Sequence, residues 1–240
     1  MKTIDSIIPF CSYDKDYINR AIAGVRPVSN NIYIIYSDKL FNGKLEDPEV
    51  IAKVKKDNPD CKFYQFKFDN TKSIKKHHNY QRYIGYIISK SEYLLMVDAD
   101  EVFEPEKLKE WVDNKVEFAE VTSFANYWYF RSEKYQATTF EDSPIMVKQS
   151  LITQEMLNHE LERNIYKYVG LNSNLKVNGI DGKPMCHHYS WALTKEQMLH
   201  KVDSWGHKYD RDWVSLIEEE FSRDFNGTDF VHGYSYVKLD

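Results

Sequence analysis

Tyr93-Leu94-Leu95-Met96-Val97-Asp98-Ala99-Asp100-Glu101 is the stretch on which the reading of this chain turns. Five residues suited to a buried strand run into two aspartates spaced i, i+2, with a third acid behind them. A strand turns successive side chains to opposite faces, so Asp98 and Asp100 are expected to point the same way where it ends. Converging carboxylates at the edge of a sheet call for a counter-charge, and a hard divalent cation shared with a phosphate supplies one. The competing reading is a strand, an acidic turn and a helix start, because Glu104-Pro105-Glu106 has the form of a helix N-terminus.

Upstream, strand and helix patterns alternate. Ile4 to Pro9 reads as a short strand broken at Pro9, since proline cannot donate to a ladder. Tyr17 to Val25 reads as a helix with Ile18, Ala21, Ile22 and Val25 on one face. Asn31 to Tyr36 is a second strand. Pro48 to Lys56 is a helix capped by Asp47 with proline at its first position. Lys62 to Phe68 is a third strand, Ser73 to Lys90 a long helix, and Tyr93 to Val97 the fourth strand. Such alternation predicts a mostly parallel sheet with right-handed crossovers, and ligands in such sheets sit outside the carboxyl ends of the strands. Those ends are Pro9-Phe10-Cys11, Ser37-Asp38, Asp69-Asn70 and Asp98-Ala99-Asp100. Neither G-x-G-x-x-G nor G-x-x-x-x-G-K-[ST] occurs, which disfavours dinucleotide and P-loop phosphate binding.

Downstream the pattern changes. After a helix over Pro105 to Asn114, Phe118 to Arg131 is long, aromatic and β-prone, and Ile145 to Val147 is another short strand; these predict antiparallel additions. Leu151 to Arg163 reads as helical. Pro184-Met185-Cys186-His187-His188-Tyr189-Ser190-Trp191 precedes a helix from Thr194 to about Tyr209, with Thr194 and Gln197 in a capping-box arrangement. No repeat, low-complexity segment or Gly/Ser linker divides the 240 residues, so one domain is expected.

Composition narrows the partners. The net charge of −5 disfavours a general nucleic-acid or anionic-membrane binder. Lys53, Lys55, Lys56, Lys72, Lys75, Lys76, His77 and His78 form a basic stretch that is either a solvated helix face or a phosphate-facing patch. Aromatics make up 15%, with 18 Tyr and 5 Trp, residues that stack on sugars and bases as readily as they fill cores. Cys11, Cys61 and Cys186 lie far apart and outside any C-x-x-C spacing, which suits a reducing compartment. With no signal-like N-terminus and no apolar run of spanning length, a cytoplasmic location without membrane insertion is expected.

Several of these segments resemble a known family. Ile7-Ile8-Pro9-Phe10-Cys11, followed by Tyr17-Ile18-Asn19-Arg20-Ala21-Ile22, is similar to the first strand and helix of nucleotide-sugar glycosyltransferases of the GT-A fold, glycosyltransferase family 2-like. Gln81-Arg82-Tyr83-Ile84-Gly85 stands where such proteins carry Ala-Arg-Asn-x-Gly; Arg82 and Gly85 match and Tyr83 departs. Tyr93 to Val102 resembles the family's D-x-D strand, and His188-Tyr189-Ser190-Trp191 with Met198 and Lys201 resembles a C-terminal pattern of some members. The resemblance covers roughly residues 4–210. The family's Asp-Asp-Gly-Ser turn is replaced by Tyr36-Ser37-Asp38, leaving Asp38 as the candidate there.

The resemblance implies an α/β, GT-A (Rossmann-like) fold: a mostly parallel central sheet flanked by helices, with antiparallel additions and a helical C-terminal part. Residues 1–115 would bind the nucleotide sugar and 116–240 the acceptor. It implies transfer of a sugar from a nucleoside-diphosphate sugar, a UDP-sugar first among them, to a hydroxyl. A glycan or lipid-linked sugar is the default acceptor; a protein, or a hydroxymethylated base in viral DNA, is an alternative. Pro9, Cys11, Asp38, Arg82, Asp98, Ala99, Asp100 and Lys201 are the expected donor-site residues. Asp98, Asp100 and His188 are the expected ligands of Mn²⁺ or Mg²⁺, oxygen and imidazole donors suiting both and favouring manganese. If residues 186–191 are extended, His187 and His188 face opposite sides and one of them reaches the metal. Asp142 is the first candidate for catalytic base, with Glu141 and Glu160 after it. Trp128, Tyr129 and Trp191 are candidates for acceptor stacking. Two alternatives stand beside it: a nucleotidyltransferase acting on a sugar phosphate, which shares sheet, metal and nucleotide, and a catalytically inactive nucleotide-sugar-binding protein with a degenerate active site. The first is expected to carry a Gly-rich loop, which Pro9-Phe10-Cys11-Ser12-Tyr13 lacks.

Overall fold

The stretch from Ile4 to Phe10, with β-branched Ile4, Ile7 and Ile8, forms the first strand, β1, and the computed structural model builds its central sheet around it. The structure describes residues 2–69, 71–115, 117–159 and 161–239. Helix α1 (Ile18–Val25) follows, then β2 (Asn31–Ser37), α2 (Pro48–Asp57), β3 (Lys62–Phe66), α3 (Ile74–Ile88) and β4 (Tyr93–Met96). Asp47 caps α2 by accepting from the Glu49 and Val50 amides, and Ser73 caps α3. Strands β4, β1, β2 and β3 lie side by side and parallel. Their side chains alternate between two cores. Ile4, Ile8, Tyr93 and Leu95 pack with Ile18, Ile22 and Ile51 on one face, whereas Ile7, Leu94 and Met96 pack toward Ile84 and Ile88 on the other.

Pro9 does not break β1. The Ile7 carbonyl accepts from Val97 N–H, so the position two residues on faces the same side, where β4 has ended and no ladder bond is lost.

After β4 come β5 (Glu101–Phe103) and α4 (Pro105–Asp113). The β-prone run from Phe118 divides at Ala125. Strand β6 (Val121–Phe124) joins the central sheet, and β7 (Asn126–Phe130) enters a second one. Strands β8 (Ser132–Glu141), β9 (Ile145–Lys148) and β10 (Ser173–Val177) follow, then β11 (Cys186–Trp191), α5 (Lys195–Asp203), α6 (Trp213–Glu220) and β12 (Tyr236–Lys238). The central sheet runs β10-β6-β9-β4-β1-β2-β3, with β9 antiparallel to both its neighbours; the second sheet runs β12-β8-β7-β11-β5. This is the expected α/β architecture, a mostly parallel sheet flanked by helices with antiparallel additions.

Two further expectations fail. The described residues between Leu151 and Arg163 form no α-helix; 3₁₀ turns cover Gln149–Leu151, Gln154–Asn158 and Glu162–Tyr168. Helix α5 ends at Asp203 rather than near Tyr209, although its Thr194–Gln197 capping box forms as expected. Strands β8, β10 and β12 and helix α6 have no counterpart in the sequence reading. All three cysteines are free thiols. Among the described residues, no helix is long and apolar enough to cross a membrane.

Candidate active site

The carboxyl ends of β1 and β4 open into a cleft of about 530 Å³. Pro9, Cys11, Arg82, Asp98, Ala99, Asp100, Trp128, Glu141, His188, Trp191 and Lys201 all line it. Residues separated by nearly two hundred positions thus meet at the sheet edge where parallel strands place ligands.

The acids are presented by a turn, not by a continuing strand. β4 ends at Met96, and Glu101 N–H donates to the Asp98 carbonyl. Glu101, the trailing acid of the motif, closes that turn: its side chain accepts from Asp98 N–H at 2.8 Å. Glu101 is fully buried and forms a two-pronged ion pair with Arg163. Arg163 continues to Asp98 at 3.2 Å, and Arg82 reaches the other Asp98 oxygen at 2.9 Å. Burial would lift the Asp98 carboxyl, but Arg163 and Arg82 outweigh it and pull it down to about 2. The expectation that strand alternation aims both aspartates alike therefore gives way to a turn that hands them different partners.

Asp100 faces Lys201 at 3.3 Å and His188 at 3.5 Å. Burial opposes its ionisation, yet these two groups hold its carboxyl far below the usual range. Strand pairing delivers His188: β11 runs antiparallel to β5 with His188 opposite Glu101, and Tyr189 N–H donates to the Asp100 carbonyl at 2.9 Å. The alternation expected of an extended 186–191 segment is present. His188 turns to Asp100 and shares a hydrogen bond with the Ser143 hydroxyl at 3.1 Å, whereas His187 turns to Glu104 and the Tyr129 hydroxyl. Burial lowers the proton affinity of His188, but Asp100 and then Glu101 and Glu141 raise it beyond the ordinary imidazole value. Its protonated form therefore adds stability at low pH, and that contribution is lost as pH rises through the raised value.

Among the described residues, no three His, Cys, Asp or Glu side chains form a ready metal-ligand group. Asp100 and His188 do supply a carboxylate oxygen and an imidazole nitrogen that converge in the cleft, a pair suited to manganese. The Asp98 oxygens are already engaged by Arg82 and Arg163. Lys201 completes the charged floor: its ammonium donates to the Ser190 carbonyl and hydroxyl, both at 2.8 Å, while it faces Asp100.

Three expected residues lie elsewhere. Asp38 turns to the β3 side, where it accepts from Phe68 N–H at 2.7 Å. Asp142 pairs with Lys167 at 2.8 Å and accepts from the Ser123 hydroxyl, away from the cleft lining. Tyr129 follows Trp128 along β7 and so takes the opposite face, stacking on His187 and Tyr189. Trp128 meets His188 edge-on, with ring centroids 4.6 Å apart. Trp191 borders the cleft but is only 1% exposed, held among Trp205, Trp213 and Phe230. Glu160 and Asn70 fall outside the described residues. In the basic stretch, Lys53 pairs with Asp57 and Lys72 with Asp69 at the surface, while His78 lines the cleft.

Sequence reasoning missed Arg163, Asp14 and His232, each of which borders the cleft. Asp14 follows the β1 end and lay within reach of the strand-end rule. Its carboxyl, which accepts from the Cys11 thiol, is pushed up to about 7 by burial and by the charge of Asp100, against the pull of Lys201.

No protein-family model matches the chain, and no curated protein sequence is significantly similar to it. Solved structures do resemble it. The inositol-1-phosphate CTP transferase from T. maritima superposes with a TM-score of 0.50 at 9% identity, covering 91% of this chain and 98% of that one. S. aureus TarS, residues 1–349, gives a TM-score of 0.48 at 13% identity over 95% of this chain and 74% of that one. The mannosyltransferase PcManGT from Pyrobaculum calidifontis, in complex with GDP-Man and Mn²⁺, gives 0.48 at 10% identity over 77% and 56%. The likeness to the CTP transferase is one of fold.

Proposed function

We propose that this chain is a metal-dependent glycosyltransferase that moves a sugar from a nucleoside-diphosphate sugar to a hydroxyl acceptor. The observation that carries this reading is the convergence of Asp100, His188 and Lys201 on one cleft floor, from the turn after β4, from β11 and from α5. When the donor bond breaks, negative charge builds on the diphosphate, and groups already aimed at that charge lower the barrier. Asp100 and His188 are the residues to hold Mn²⁺ or Mg²⁺, which would act as a Lewis acid toward the diphosphate. Lys201 supplies a second positive charge on the same floor. Arg82 and Arg163 hold Asp98 ionised at the donor side of the cleft. Residues up to about 115 make the donor half on this reading, and β7, β8 and β11 the acceptor half. Of the two base candidates that can be located, Glu141 borders the cleft. The free thiols suit a cytoplasmic setting.

The fold likeness to a CTP transferase keeps nucleotidyl transfer as a second reading. Products separate the two: glycosyl transfer releases a nucleoside diphosphate, or CMP where the donor is CMP-linked, and nucleotidyl transfer from a nucleoside triphosphate releases pyrophosphate. The test is a screen of UDP-, GDP- and CMP-linked sugars with Mn²⁺, comparing the wild type with Asp100→Ala. Sugar release that falls by about 10²–10³ in the variant supports the proposal. Undiminished activity in Asp100→Ala refutes the role of that carboxylate, and tight donor binding without turnover in the wild type points to a binding protein.

A further inference from the structure

Beside Glu141, the base candidate that borders the cleft, stands a histidine with no role so far. His232 and Glu141 both line the cleft, with the His232 Nδ1 4.0 Å from a Glu141 carboxylate oxygen. We propose that His232, oriented by Glu141, is the general base that takes the proton from the acceptor hydroxyl. The inference rests on the glycosyltransferase reading above.

His232 is held in place by a loop built for rigidity. Antiparallel pairing of β12 with β8 brings the chain back to the strand next to β7. The buried Asp229 carboxylate then accepts from four successive backbone N–H groups, those of Val231, His232, Gly233 and Tyr234. A fifth donor is the Tyr236 hydroxyl at 2.9 Å. Gly233 sits at φ 75°, a conformation that side-chain-bearing residues rarely adopt and that lets the chain turn directly behind His232. The His232 imidazole lies between Tyr234, stacked with centroids 5.0 Å apart, and Trp128, met edge-on at 4.8 Å. Trp128 contacts His188 through the same indole, so the proposed metal ligand and the proposed base flank one aromatic ring. Both groups are thereby within reach of a single sugar bound in the cleft.

Of the two groups, the imidazole is the better placed base. The Glu141 oxygen that faces His232 already accepts from the Tyr234 hydroxyl at 2.9 Å. This holds the carboxylate beside the ring at ion-pair distance, where its charge would stabilise the imidazolium. With Nδ1 directed to Glu141, Nε2 is the nitrogen left for the cleft, and the His232 side chain is 34% exposed. In the step proposed, the acceptor oxygen forms a bond to the anomeric carbon and the bond from that carbon to the diphosphate oxygen breaks. The electron pair stays on the departing nucleoside diphosphate. The hydroxyl proton passes to Nε2, and the imidazolium that results faces Glu141 until it loses its proton to water.

The experiment takes His232→Ala and His232→Gln through donor hydrolysis, in which water replaces the unidentified acceptor, with Mn²⁺ and the donor the wild type cleaves fastest. Binding of the matching nucleoside diphosphate with Mn²⁺ is followed by thermal shift. The expected result is a fall in kcat of about 10²–10⁴, unchanged nucleotide binding, and partial rescue of His232→Ala by added imidazole. Glu141→Gln should lower kcat less, because it removes the orienting group and not the base. Full hydrolysis by His232→Ala overturns the assignment while leaving the glycosyltransferase reading intact. Loss of nucleotide binding together with hydrolysis also overturns it, by showing a structural role. A wild type that cleaves none of the UDP-, GDP- or CMP-linked sugars overturns the glycosyltransferase reading, and this inference with it.

Discussion

Replacing Arg163 by methionine should cost far more than its place in an irregular segment suggests. Glu101 is 0% exposed, and its two carboxylate oxygens are met by the Arg163 guanidinium. Removing the cation strands a charge in the core, which costs about 3–5 kcal/mol when a buried pair is broken from one side. In a chain of this size that corresponds to a fall in Tm of about 6–20 °C. An exposed pair sets the scale. Lys53 and Asp57 also form an ion pair, but the Lys53 side chain is 73% exposed, and Lys53→Ala should cost no more than ~1 kcal/mol. The double variant Glu101→Gln/Arg163→Met should be more stable than Arg163→Met alone. The glutamine amide still offers an oxygen to Asp98 N–H, and no unpaired charge remains, while Asp98 keeps Arg82 at 2.9 Å. Urea unfolding followed by circular dichroism on wild type, both single variants and the double variant completes the cycle. Destabilisation of Arg163→Met below ~1 kcal/mol, or a double variant as unstable as the sum of its singles, would refute the claim that Glu101 needs Arg163.

Two further perturbations test the scaffold. At Gly85 on α3, an added Cβ would lie 2.5 Å from Ile7 Cδ1 in the core. Overpacking of about 1–3 kcal/mol should outweigh the ~1 kcal/mol that alanine gains in helix propensity. Gly85→Ala is thus expected to lower Tm and Ile7→Val to restore part of the loss, whereas a stabilised Gly85→Ala would show that α3 is free to shift. At Asp14 the prediction concerns pH in metal-free protein. Its carboxyl titrates near 7 when folded and near ~3.9 when unfolded. Between those values the native state retains a proton that the unfolded state has released, so this group's contribution falls as pH rises from about 4 to about 7. Asp14→Asn should therefore gain on the wild type between about pH 4.5 and about pH 8 in urea unfolding with EDTA; parallel pH profiles would count against a proton held at Asp14.

How much of this is legible in the sequence differs along the chain, and for physical reasons. Strands β1, β2 and β4 and helices α1 to α4 announce themselves through local signals: apolar runs of strand length, one-sided helical spacing, Asp47 followed by Pro48. The segment between Gln149 and Tyr168 misleads with a helical reading, because its apolar residues serve tertiary contacts instead of a helix face. Ile152 and Tyr166, for example, pack beneath the central sheet. Arg163 rides on that segment, so its pairing with Glu101 is invisible in the sequence even though Glu101 itself belongs to the motif. At Ala125 the chain leaves one sheet for the other inside a continuous β-prone stretch, a switch decided by partners that arrive later in the sequence.

The same distinction explains why the end of the cleft around Asp98, Asp100 and His188 is readable and the end around Trp128, Glu141 and His232 is not. Asp98, Asp100 and His188 each sit on a strand or strand-end turn whose alternation or edge position can be inferred locally. Only the register between β5 and β11 has to come from the structure, and it sets His188 opposite Glu101. At the other end, Trp128, Glu141 and His232 come from β7, β8 and a loop shaped by Asp229, and none has a neighbour in sequence that hints at the others. Asp142 misses the cleft lining for one elementary reason. Adjacent residues at the end of a strand point to opposite sides, so with Glu141 turned to the cleft, Asp142 is left to Lys167 and Ser123. Two acids in tandem hold a single candidate for the cleft, and which one it is depends on the strand register.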